Sequence, residues 1–225
     1  MSVSDNVKAL EARISRAAMN AGRDPGEITI VAVAKTYPAP AIEEAIASGI
    51  KIIGENRVQE AKEKHRVIGD RVEWHMVGHL QTNKVKEALS IFSMIQSLDS
   101  VRLAEEIEKR AAREVACLLE VNTSKETTKF GVAPDEVFDL YERLAQCRKI
   151  DVQGLMTIGP GWAVQDPEAS RPCFRVLREL REELAQAFDR SFPVLSMGMT
   201  SDFEVAIEEG STMIRAGTAI FGPRE

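Results

Sequence analysis

The chain has 225 residues, with 29 Lys and Arg against 35 Asp and Glu, a formal net charge of −6, 44% hydrophobic and 28% charged residues. That is the composition of an ordinary globular protein with enough chain to bury its own core, and a negative balance lacks the field that gathers phosphate backbones, which argues against nucleic acid as the main partner. Cys117, Cys147 and Cys173 are widely spaced and odd in number, which argues against a disulfide framework and fits a reducing, cytoplasmic setting. The N-terminal stretch is a charged amphipathic segment that predicts a helix over about 3–21, with no apolar run of the kind that directs export or spans a membrane. After it, short apolar, β-branched runs recur at 28–35, 51–56, 72–78, 93–98, 115–122, 149–158, 194–199 and 212–217. Between them lie segments with apolar residues three and four apart, such as Ile42, Ala45 and Ile46, then Val101, Leu103 and Ile107, Val137, Leu140 and Leu144, and Phe174, Leu177, Leu180 and Leu184. Asp99-Ser100 and Ser201-Asp202 suit helix N-caps, and Pro134 and Pro167 suit first turns.

This alternation predicts a parallel sheet with crossover helices. About eight strands fit a closed (β/α)8 barrel better than a doubly wound sheet, because the first strand-to-helix turn, AKTYPAP, lacks the glycine fingerprint of the latter. No linker or compositional break divides the chain, so one barrel domain with a leading helix is expected over 1–225, and residues 159–170 read as a loop on its active face.

In such barrels chemistry gathers at the C-terminal strand ends. Lys35 ends the first apolar run; a lysine at the barrel mouth is partly desolvated and available to form an imine with a carbonyl compound, although a strand-end lysine can equally extend to water. The segments SMGMTSDF and RAGTAIFG follow strands seven and eight, where barrels often hold a phosphate between backbone N–H groups and a short helix. Glycine and hydroxyl residues are also ordinary turn chemistry there. A reactive lysine beside a phosphate site points to a phosphorylated carbonyl ligand, of which pyridoxal 5′-phosphate (PLP) is one, and Arg215 is placed to serve the pyridine nitrogen. An arginine partner donates to an unprotonated ring nitrogen and weakens the ring as an electron sink.

The runs VAVAKTYP, IGENRVQEAKEK, EWHMVGHLQTNK, QSLDS, TKFG, GLMTI and LSMGMTSDFEVAIEEGSTMIRAGTAIFG, in order from about residue 28 to 222, resemble the PLP homeostasis protein family. The resemblance implies a single-domain (β/α)8 barrel of the kind shared with the N-terminal domain of alanine racemases, the type III fold of PLP proteins. It implies PLP held covalently on Lys35 as an internal aldimine, phosphate contacts from Ser196, Thr200, Gly217 and Thr218, Arg215 near the ring nitrogen, and Asn56 beside the cofactor. It also gives Lys129, in the TKFG run, a secondary role in cofactor exchange, against the plainer reading of a solvated loop charge. Residues 1–27 and 159–170 match poorly, and His79 stands where some relatives carry proline.

Other candidates have plainer readings. His75 and His79 lack the helical spacing and partners of a zinc pair, and His75 reads as a hydrogen-bonded core histidine beside Trp74. The strand methionines and the cysteines read as core filling, and ENRVQEAKEKHR as a solvated helix face. A two-base racemase needs a second acid/base from another domain, and only about eight residues follow Gly217. The expected function is therefore that of a monomeric, cytoplasmic PLP carrier in vitamin B6 and amino-acid homeostasis, without substrate turnover, serving apo PLP-dependent enzymes. The alternatives are a stand-alone racemase using His79 or Tyr37 as second base, and a Schiff-base aldolase or phosphate-binding isomerase with no cofactor.

Overall fold

The leading helix α1 (Val3–Asn20) starts at a capping box in which Ser2 and Asp5 satisfy each other's backbone N–H groups. It buries Val3, Val7, Leu10, Ile14, Ala17 and Ala18, a stripe at helical spacing. The computed structural model describes residues 2–223. Eight strands follow: β1 (Thr29–Val33), β2 (Ile52–Glu55), β3 (Glu73–Met76), β4 (Met94–Leu98), β5 (Val115–Glu120), β6 (Ile150–Met156), β7 (Val194–Met199) and β8 (Met213–Ala216). All pair in parallel and in chain order, and β8 pairs with β1 to close the barrel. The helices on the outside are α2 (Ala39–Ala47), α3 (Val58–Ile68), α4 (Val85–Ala88), α5 (Val101–Arg110), α6 (Val137–Leu144), α7 (Arg171–Phe188), α8 (Phe203–Glu208) and the short α9 (Thr218–Phe221). Helix α1 packs over α8 and α9, across the seam where the barrel closes.

Each predicted run holds one strand. The first strand, however, stops at Val33, so Lys35 lies in the turn beyond it. The 159–170 segment is not irregular throughout, since it carries two short 3-10 turns, Gly161–Val164 and Pro167–Ser170. Ser100 caps α5 by accepting from Leu103 N, while Asp202 turns its carboxylate back to Met199 N instead of capping α8.

Two apolar layers follow from the two faces of the sheet. The larger lies between strands and helices; the smaller, inside the barrel, comprises Val31, Val77, Met94, Leu118, Met156 and Met213. Alternation along β7 sends Leu195 and Met197 to the outer layer and Ser196 inward. Strand β6 pairs with β7 at Gly154, where any Cβ would collide with the Val194 carbonyl oxygen. Gly154→Ala is therefore expected to lower stability by about 2 kcal/mol or more, because only backbone movement can relieve the clash. Urea denaturation checks this; an unchanged midpoint would show that the two strands are free to separate.

Candidate functional site at the closing seam

The register Ala32↔Ala216 between β1 and β8 brings the turns beyond both strands together. A Cβ at Gly217 would lie 3.2 Å from the Val33 carbonyl oxygen, so only a residue without a side chain lets the two chains approach unhindered. Lys35 lies two residues past Val33, and the pairing Val33↔Gly54 sets Asn56 at the matching level after β2. Lys35 and Asn56 are both half-buried.

On the other side of the seam, Gly198 in β7 has φ +91°, and a Cβ there would meet Ala206 and Phe203, so the chain turns tightly before Thr200. The buried Asp202 carboxylate fixes this turn by accepting from Met199 N at 2.7 Å and from Ser170 Oγ at 2.6 Å. Thr200 Oγ1 in turn accepts from Gly217 N at 3.4 Å and Ala219 N at 3.3 Å. These are long bonds to amides at the start of α9, which an anion could accept in their place. Thr218 is exposed beside them.

Beneath this mouth lies a directed polar chain. Arg215 donates to Ser196 Oγ at 2.7 Å and to the Thr157 carbonyl at 2.7 Å, and Ser196 donates to Gln96 Oε1 at 2.7 Å. The Gln96 amide nitrogen is 2.9 Å from His75 Nδ1. Burial pushes His75 down to about 4, so the ring is neutral near pH 7. Burial also pulls Arg215 down to about 10, which still leaves it protonated. Ser196 is fully buried and its hydroxyl accepts from Arg215 and donates to Gln96.

A cleft of about 690 Å³ opens on the opposite side of the mouth, with Asn56, His79, Glu120, Asn122, Lys129 and Phe130 in its wall. His79 stacks on Phe130 and its Nδ1 lies 3.1 Å from Asp99 Oδ2. Lys129 is not simply a solvated charge: it pairs with Glu126 at 2.7 Å and donates to the Gly159 carbonyl at 2.5 Å, tying two loops over the cleft. Glu120 is buried, its Oε2 has no hydrogen-bond partner, and burial and Asp99 push it up to about 7 against the opposing pull of Arg215. Among the described residues no group of three or more His, Cys, Asp or Glu could hold a metal, and no helix is long and apolar enough to cross a membrane.

Several of these residues escape a reading of the sequence alone. Glu120 sits in an apolar run, VACLLEVN, where a single acid before the strand's end is the available signal. Lys64 is buried although its segment reads as a solvated helix face; the signal is its place on the stripe Val58, Ala61, Lys64, Ile68.

The fold and the seam define a class: a (β/α)8 barrel of the alanine racemase N-terminal type, whose family model matches residues 6–225. Alanine racemase from Corynebacterium glutamicum shares the barrel, with a TM-score of 0.75 and 17% identity over 99% of this chain and 61% of that one. The chain belongs to the pyridoxal phosphate homeostasis protein family. It is 43% identical to the Aquifex aeolicus member over the full length of both chains, and 36% identical to the Escherichia coli K12 member over 99% and 97% of the two. The structure of PipY from Synechococcus elongatus, solved with PLP bound, matches with a TM-score of 0.85 and 32% identity over 98% of this chain and 100% of that one.

A carboxyl with a higher pKa in the fold than in the unfolded chain binds its proton more readily when folded. The stability it contributes is therefore full below about 4.5 and lost as pH rises through about 7. Glu120→Gln is expected to gain stability over the wild type at about pH 8, by at most about 2–3 kcal/mol, and little at about pH 4. Denaturation across that range checks it, and parallel curves for the two proteins would show that Glu120 does not titrate there.

Proposed function

We propose that the chain is a cytoplasmic PLP-binding protein that holds the cofactor on Lys35 and releases it to PLP-requiring proteins, without turning over a substrate. The observation that carries this is the seam itself, which sets a lysine turn and an N–H cradle on adjoining strands. The residues present fit the cofactor: a primary amine at one end, the Gly217 and Ala219 amides with Thr200 at the other, and a buried guanidinium beneath. PLP supplies an aldehyde that condenses with an amine, forming C=N and releasing water.

In this reading Lys35 provides the amine, Asn56 lies beside the ring, and Thr200, Gly217 and Thr218 take the phosphate. Arg215 serves the ring nitrogen, and Ser196, assigned to the phosphate by resemblance alone, orients Arg215 instead. A protonated guanidinium in that place gives no proton to the ring and keeps it a poor electron sink, which favours storage over chemistry. The racemase reading needs a second base, and neither candidate is idle: the Tyr37 hydroxyl donates to the Gly222 carbonyl at 2.6 Å, and His79 is held by Asp99 and Phe130.

The purified protein with PLP is expected to be yellow, with a visible band that borohydride fixes and Lys35→Ala abolishes. A colourless wild type would sink the assignment, and turnover of any member of a panel of L- and D-amino acids would overturn the carrier reading. Removing the Thr200 hydroxyl with Thr200→Ala should weaken PLP binding by about tenfold, the cost of one polar contact to an anion. Unchanged affinity on titration would place the phosphate elsewhere.

A further inference from the structure

Behind the Lys35 turn stands a buried ion cluster that the proposed function leaves unused. Lys64, on α3, is 8% exposed, and its ammonium makes three short bonds: to the Ala34 carbonyl at 2.6 Å, Glu55 Oε1 at 2.7 Å and Glu60 Oε1 at 2.6 Å. An ammonium has three protons, so this one is fully used. Glu60 Oε1 also accepts from Thr36 N at 2.5 Å. The cluster thus grips the chain on both sides of Lys35, by the carbonyl of residue 34 and the amide of residue 36.

The grip acts on strained backbone. Thr36 has φ +71°, the left-handed region, a genuine outlier for a β-branched residue that persists only where the surrounding structure holds it. For stability alone an apolar core would serve better, because burying charges carries a desolvation cost that well-packed apolar residues avoid. Glu55 shows that cost: it is fully buried, its Oε2 has no hydrogen-bond partner, and burial pushes it up to about 7 despite Lys64. What the charges supply that an apolar core would not is directed bonds to two chosen backbone atoms.

We propose that Lys64 is a positioning residue for Lys35: through Ala34 and, by way of Glu60, through Thr36, it holds the turn so that the Lys35 amine meets the aldehyde of PLP. This rests on the assignment of PLP to Lys35. The cluster acts on covalent capture, in which the amine adds to the aldehyde carbon, C=N forms and the oxygen leaves as water. It does not act on the phosphate cradle, which is built by β7, β8 and α9.

That division supplies the test. Pyridoxamine 5′-phosphate shares the ring and phosphate but carries an amine in place of the aldehyde, so its binding reports the cradle without the lysine bond. In Lys64→Met, PLP affinity should fall by about tenfold or more while pyridoxamine 5′-phosphate affinity stays within about twofold of wild type. The borohydride-fixed visible band should form more slowly. Unchanged PLP affinity, or an equal fall for both ligands, would overturn the proposal. Should Lys64→Met fail to fold, Glu60→Ala and Glu60→Gln decide: the alanine variant should show the same split between ligands, and the glutamine variant, whose amide oxygen can still accept from Thr36 N, should reverse it. No split in Glu60→Ala overturns the proposal as well. Lys35→Ala run in parallel separates the two readings: a visible band that survives it removes the PLP assignment, whereas its loss beside an unaffected Lys64→Met removes only the positioning role.

Discussion

The pairing of β1 with β8 is the contact on which the site depends. It closes the barrel, removing the two edges that an open sheet would leave, and among the described residues it is the only strand pairing that joins strands distant in sequence. The same contact makes neighbours of the first and last strand-to-helix turns, so the Lys35 turn and the Gly217 amide turn are brought together by the closure. Glycine at 217 lets the two turns approach, and α1, packed over α8 and α9, covers the join from outside. A local change that opened this seam would remove the site and the barrel together.

Inside the barrel the charges are few and directed. Arg215 donates to Ser196, Ser196 to Gln96, and the Gln96 amide to His75 Nδ1, which leaves the neutral histidine its proton on Nε2, toward Glu73 at 3.7 Å. Each group in that chain has one orientation consistent with its neighbours, and such chains polarise one another. The guanidinium is thereby held in place without a direct carboxylate partner in the barrel. This bears on how a chain of net charge −6 would hold the anionic cofactor proposed for it. The overall field repels an anion, so attraction has to come at short range, from backbone N–H groups and one buried arginine.

The barrel was legible because buried parallel strands write themselves as apolar runs, and the seam's residues because glycine and hydroxyls mark the turns where they stand. The site's supporting groups were less so. Lys64, Glu60 and Glu55 lie in a segment whose Glu/Lys spacing is also that of an exposed helix, and only the stripe through Val58, Ala61 and Ile68 distinguishes the buried lysine from its solvated neighbours. Ser196 stands with the phosphate contacts by the family resemblance, which says nothing of its partners within this chain. The two-residue period of a strand turns it into the barrel, where its hydroxyl meets Gln96 and Arg215. Lys129 read as a loop charge because sequence does not show that the 126–129 and 159–161 turns meet.

Two carboxyls, Glu55 and Glu120, are buried around the mouth, each with one oxygen unsatisfied and each pushed up to about 7. Elsewhere the fold treats its acids differently: Glu209 is buried yet meets Arg171, Arg175 and Arg178. The difference follows from position. Helix α7 supplies all three arginines to Glu209 from outside the barrel and Lys64 of α3 meets Glu55 at 2.7 Å, whereas Glu120, in the cleft wall, has no ion pair among the described residues. Departures from full hydrogen bonding are costly, and among the buried side chains of the described residues there are four: Glu55 Oε2, Glu87 Oε2, Ser97 Oγ and Glu120 Oε2. Of these four, Glu120 is the one in the wall of the cleft, where burial without a counter-ion raises its pKa to about 7.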